Sequence, residues 1–197
     1  MIRELRSSIG LFVFLTILTG LGYPLSITSL AQSFFPYQAN GSLIRDGNTV
    51  IGSELIGQNF SSEKYFHSRP SAAGSGYDAE NSAGSNLAPT SGDLIDTVSE
   101  RVADLRSGDD HRAIPVDLVT ASGSGLDPDI SVASALFQAP RIARVRGIPL
   151  PQIENLISSV TTPRTYGILG ENRVNVLKIN RALDLLNSQN GTPTATP

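Results

Sequence analysis

Cysteine is absent from this chain, so no disulfide staples it and no lipoprotein anchor holds it to a membrane. Tryptophan is absent too, and lysine is confined to Lys64 and Lys178. With a formal net charge of −3, the chain has no basic patch of the kind that nucleic-acid binding requires. The most informative gap is local: between Arg6 and Arg45 no side chain carries a charge. That gap removes most soluble-enzyme readings.

What fills the gap is apolar. Ile9 to Ile27 reads IGLFVFLTILTGLGYPLSI, long enough at ~1.5 Å per residue to cross a ~30 Å hydrocarbon core. The sequence therefore predicts a cytoplasmic N-terminus over 1–8, a transmembrane helix over 9–30, an extracytoplasmic domain over 31–187 and a flexible tail over 188–197. Arg3 and Arg6 flank the inner end of the run, which keeps the N-terminus in the cytoplasm and exports the bulk of the chain. Ser29-Leu30-Ala31 also resembles a signal-peptidase site, so the alternative is a secreted hydrolase released after Ala31. The run exceeds the usual ~7–15 residues of a signal core, which favours a retained helix. Thr16, Gly20 and Pro24 recur every fourth residue and predict a face for close helix packing. Phe34, Phe35 and Tyr37 suit an interfacial belt.

The remaining residues, about 160, suffice for one domain with its own core. Asp46-Gly47 between Leu43-Ile44 and Val50-Ile51 predicts a hairpin. Ser68 to Pro89, rich in Gly, Ser, Ala and Asn, reads as a long loop, and its part from Arg69 to Leu87 as a polar recognition surface. Leu94, Ile95, Val98, Val102 and Leu105 place one apolar face on a helix over 91–106, and Ile114 to Thr120 reads as a short strand. Asp127-Pro128 predicts a helix start, followed by a kink or restart at Pro140 and a stop at Gly147. A short helix after Pro151 and a last one over 174–186 complete an α/β (α+β) domain.

The chemistry of enzymes is sparse. His67 and His111 have no second ligand at i+3 or i+4 and read as surface residues, not a zinc site. No G-x-x-x-x-G-K-[ST] loop and no G-x-S-x-G elbow occur. Ser124, His111 and Asp127 could form a serine-hydrolase triad only on paper. The Ser122–Gly125 turn leading to a helix start at Asp127 presents backbone N–H groups to an anion, although Asp127 and Asp129 already cap such an end.

Several blocks are unusual words: GSELIGQNF, YFHSRPSA, GSNLAPTSGDLID, IPVDLVTASGSGLDPDIS, QAPRIARVRG and LGENRVNVLKINRAL. Together, in this order after a single span, they resemble the KdpC family, the C subunit of the bacterial Kdp potassium-transporting P-type ATPase. Two positions depart from that pattern: Asp129 stands where the family commonly has histidine, and Asn172 where it has proline. The resemblance implies a non-catalytic subunit in the bacterial inner membrane, partnered by a channel-like A subunit, the ATPase B subunit and a small F subunit. The D-K-T-G-T context of the phosphorylated aspartate is missing, which places hydrolysis in a partner. It implies potassium as the transported ion, no tightly bound cofactor, and ATP as a ligand met only with the pump subunit. Two roles follow from the family. One is a catalytic chaperone raising ATP affinity, with Ser122, Gly123, Ser124, Gly125 and Gln138 touching nucleotide. The other is assembly at the outer face of the channel subunit, and an exported domain, which cannot meet cytosolic ATP, favours it. Arg69, Pro70, Ser71, Gly84, Ser85, Asn86, Asp127 and Asn175 are the motif positions the resemblance assigns to partner contact.

Overall fold

A computed structural model describes residues 2–106 and 112–189; His111 and nearly all of the expected tail lie outside them. The chain divides after Ser53 into two compact units. In the first, α1 (Ile2–Ile17), a π turn (Leu18–Gly22) and α2 (Tyr23–Phe34) form one unbroken 33-residue helix with no buried side chain. Its length is about 50 Å, more than a hydrocarbon core needs. The π turn has a cause in the sequence. Pro24 has no N–H and its ring would strike the Gly20 carbonyl in a regular turn. The chain widens instead, and the Tyr23 N–H reaches back five residues to the Leu18 carbonyl. Thr19, Ser26, Ser29 and Ser33 return their hydroxyls to carbonyls four residues earlier, so no hydroxyl among them is left to lipid.

A short helix α3 (Pro36–Ala39) leads into the hairpin β1 (Leu43–Asp46) and β2 (Thr49–Ser53). Asp46 pairs with Thr49, so the turn is made by Gly47-Asn48, one residue beyond the predicted dipeptide. Gly47 alone takes a positive φ (55°) there, the sign pattern of a turn with glycine first.

The second unit holds the core. Three short antiparallel strands, β3 (Asp129–Ser131), β4 (Thr161–Thr162) and β5 (Arg173–Asn175), lie in the order β3-β5-β4. Around the central Val174 cluster residues of three helices: Ala135, Ala139 and Ile142 from α5 (Val132–Arg146), Ile153 and Ile157 from α6 (Leu150–Val160), and Val176, Ile179 and Leu183 from α7 (Val176–Gln189). Each such isoleucine contributes roughly 1.5–3 kcal/mol through burial. α4 (Gly92–Leu105) forms as its periodicity predicts but buries none of its side chains, and Ile95 on its apolar stripe is 58% exposed.

Three expectations are corrected. Residues 116–118 form a 3-10 turn, not a strand: Pro115 sets the bend, and Asp117 is drawn to the start of α5. The helix predicted to begin at Asp127 begins at Val132. Ile130 is paired with Val174 in the sheet, and Ser131 is the N-cap, its hydroxyl oxygen accepting the Ser134 N–H. α5 then passes Pro140 without restarting and ends, as read, at Gly147 in a left-handed cap (φ 65°). The strand β5 within the predicted last helix was not foreseen.

Candidate functional site

The motif residues collect at two places in the second unit. The first is an irregular segment, residues 63–67, held by side chains. Residues 62–65 form a turn, closed by the Tyr65 N–H on the Ser62 carbonyl, and Phe66 and His67 follow it; all five carbonyls of 63–67 are taken by side chains. Arg141 donates to the carbonyls of Glu63 and Tyr65, and Arg146 to that of Lys64. The Asn180 amide both accepts the Phe66 N–H (2.8 Å) and donates to the Phe66 carbonyl (2.9 Å). The Gln138 amide does the same for His67, at 2.8 and 3.2 Å. Two buried amides from α5 and α7 thus pair backbone groups that no secondary structure satisfies, and Phe66 is driven fully into the core. Arg146 also lies over the Tyr65 ring and pairs with Asp184 at 2.8 Å.

Gln138 therefore has a structural occupation: its carbonyl oxygen accepts from His67 and Arg141, and its NH₂ donates to His67. It borders a cleft of about 530 Å³ with Pro70, His67, Arg101, Arg112, Arg141 and Arg144, but Ser122–Gly125 is not among the lining residues. Of the residues expected to meet nucleotide, this cleft holds Gln138 alone. His67 is half-buried rather than on the surface. Burial, and then the Arg141 charge, hold its imidazole below the usual histidine range.

The second place joins the long loop to the Ser-Gly run. Arg69 pairs with Asp127 at 3.0 Å. Ser71 donates to the Gly125 carbonyl (2.6 Å) and accepts the N–H groups of Tyr77 and Ala73. Tyr77 donates its hydroxyl to the Arg69 carbonyl (2.6 Å), and Ser82 to the Ser124 carbonyl (2.9 Å). The loop from 68 to 89 is thus ordered by its own polar groups rather than by helix or strand, with one 3-10 turn at Ala79–Asn81. Gly84 abuts Gly123, where a Cβ would lie 3.0 Å from the Gly123 carbonyl oxygen. At Gly125, with φ 67°, a Cβ would lie 2.6 Å from the Ala73 nitrogen and 2.7 Å from the Ala83 oxygen. The glycines of this run serve close backbone packing. Ser85 and Asn86 are exposed, and Pro70 is half-buried.

The chemistry of this junction is electrostatic fastening. Ser124 accepts the Leu126 N–H, and Asp127 accepts the Asp129 N–H besides its pairing with Arg69. The anion site drawn at a helix start does not form, because that helix start lies at Ser131. Asp129 is pushed above the usual carboxylate range by burial, with the Asp127 charge adding; Asn175 and Arg173 pull the other way. It pairs with Arg173 at 3.0 Å, so the position suits a carboxylate. Asp117 is likewise raised by burial, but hydrogen bonds from the Ser134 hydroxyl and the Ser131 N–H and hydroxyl outweigh it and hold it low. Asn175 donates to the Glu54 carbonyl (2.8 Å) and accepts the Lys178 N–H (3.0 Å), fastening the start of α7. No group of three His, Cys, Asp or Glu suited to a metal occurs among the described residues.

Asn180 escaped the sequence reading, as did the hold of the basic residues Arg141 and Arg146 on the backbone of 63–65. A signal existed for the first: Asn180 stands on the same apolar face as Val176, Ile179 and Leu183, where a polar residue needs a buried partner.

Comparison with known proteins gives a consistent result. The family model described as KdpC, the K+-transporting ATPase c chain, matches residues 5–185. The chain is 57% identical over 182 residues to the potassium-transporting ATPase KdpC subunit of Acidobacterium capsulatum, covering 92% of this chain and 98% of that one. It is 55% identical over 186 residues to the subunit of the same name from Rhodospirillum rubrum (93% and 96% covered), and 53% over 184 residues to that of Caulobacter vibrioides (93% and 92%).

Proposed function

The chain belongs to the KdpC family, the c chain of K+-transporting ATPases, and from that premise we propose that it assembles and steadies the channel-like and pump subunits of a potassium importer. It is an accessory subunit, and the chemistry of ATP hydrolysis belongs to a partner. One observation supports the assembly reading: the 33-residue apolar helix has no buried side chain, a surface suited to lipid and to neighbouring spans. The Arg3 and Arg6 flank supports a cytoplasmic N-terminus and an extracytoplasmic domain beyond the helix. The second unit supports the same role, since its motif residues bind one another rather than forming a reaction centre.

The partners are the A, B and F subunits of the Kdp complex, and potassium is their cargo. The test is co-expression with those subunits and purification through a tag on this chain in mild detergent. Co-elution of the channel-like and pump subunits supports the proposal, and recovery of this chain alone overturns it. Direct contact with nucleotide through Ser122–Gly125 and Gln138 is tested separately. Saturable ATP binding by the full-length chain at millimolar concentration would revive the chaperone role; its absence is the expected result.

A further inference from the structure

Between β4 and β5 the chain makes an excursion that gives nothing to the core: every residue from Thr162 to Arg173 is exposed. Its tip is apolar. Tyr166, Ile168 and Leu169 are 89%, 76% and 57% exposed, among the most exposed large apolar side chains of this unit. The tip is nevertheless held in one shape. Thr165 and Leu169 exchange both backbone hydrogen bonds (2.9 and 3.0 Å), and the Gly167 N–H donates to the Arg164 carbonyl at 3.0 Å. At its base the Arg164 N–H donates to the Asn172 side chain, and Arg164 pairs with Glu171. Tyr166 takes a positive φ of 54°, a backbone conformation that a bulky L-residue adopts only at a cost. A preformed aromatic and aliphatic knuckle that no part of its own unit covers is how binding anchors are built.

Charge selects the occupant. The ionic groups at the base are matched, Arg164 with Glu171 and Arg173 with Asp129, so the tip brings no net positive charge to pull it toward an anionic bilayer. Its complement is an uncharged apolar pocket. We propose that Tyr166, Ile168 and Leu169 dock into such a pocket on the extracytoplasmic surface of another subunit of the same ATPase. This rests on the subunit reading above and names the residues through which the domain would engage.

The experiment uses the full-length chain co-expressed with its partner subunits. Tyr166→Ser and the double variant Ile168→Ser, Leu169→Ser are compared with wild type and with Val145→Ser, an exposed control on α5. The proposal expects about a tenfold loss of retained partner subunits in the tip variants and none in the control. It also expects unchanged melting temperatures for the variant chains, because the tip buries nothing. Retention equal to wild type would overturn it. So would a lowered melting temperature, which would assign the loop to the fold. If wild type itself retains no partner, the subunit reading fails, and that result is distinct from a failure of the tip alone. Because the chain has no tryptophan, Tyr166→Trp also gives a single reporter in phosphatidylethanolamine–phosphatidylglycerol vesicles without partners. Quenching by brominated acyl chains would show bilayer insertion and overturn docking on protein; emission unaffected by them supports it.

Discussion

Gln138 and Asn180 each satisfy a backbone N–H and C=O that would otherwise be stranded beside the core. Replacing either with alanine leaves two buried polar groups unpaired, at a cost of about 2–4 kcal/mol. We expect Gln138→Ala to lower the denaturation midpoint of the full-length chain by that amount. An unchanged midpoint would show that the amide works elsewhere. Gly125→Ala faces both a left-handed φ and contacts at 2.6 and 2.7 Å, and should also cost about 2–4 kcal/mol. His67 supplies a pH dependence. Its folded pKa is lowered, so between that value and the unfolded ~6.5 the unfolded chain binds more protons, and stability falls as pH drops through this window. Thermal melts from pH 7.5 to 5.5 should show a slope that His67→Gln reduces.

At the scale of elements, the first turn of α5 depends on Ser131, which accepts the Ser134 N–H and donates to Asp117. Ser131→Ala should cost about 1–2 kcal/mol, and chemical denaturation measures it directly. The membrane helix allows the opposite kind of test. Apart from its own helix backbone and chain neighbours, no atom lies within 4 Å of a Cβ built at Gly20, which sits in the π turn between Thr16 and Pro24. Gly20→Leu should therefore leave the chain intact while weakening co-purification with partner spans. If retention is unaffected, the small-residue face is not a packing surface. The elements differ in how they could be read. α4, α6 and α7 follow their apolar periodicity, and the π turn follows from Pro24. The strands β3, β4 and β5 are two or three residues long, too short for alternation to register, and exist only because Val174 is flanked on both sides.

For the whole molecule, the orientation of the chain is the decisive property. The absence of cysteine makes it accessible to experiment. A cysteine introduced as Ser85→Cys should react in intact cells with a maleimide that cannot cross membranes, and one introduced as Ser8→Cys should not. The reverse pattern would place the domain in the cytosol and reopen a role beside ATP.

Information carried by neighbours along the chain was open to reading from the sequence alone: an uncharged apolar run long enough to span a bilayer, helices with one greasy face, a glycine turn, and blocks of words that identify the family. These depend on residues a few positions apart, where spacing dictates geometry. The three-dimensional fold alone decided where α5 begins, that Asp129–Ser131 is a strand, and that Gln138 and Asn180 clamp residues 71 and 114 positions away. Such contacts form because burial leaves backbone groups in need of partners, and which side chain answers depends on how distant segments pack.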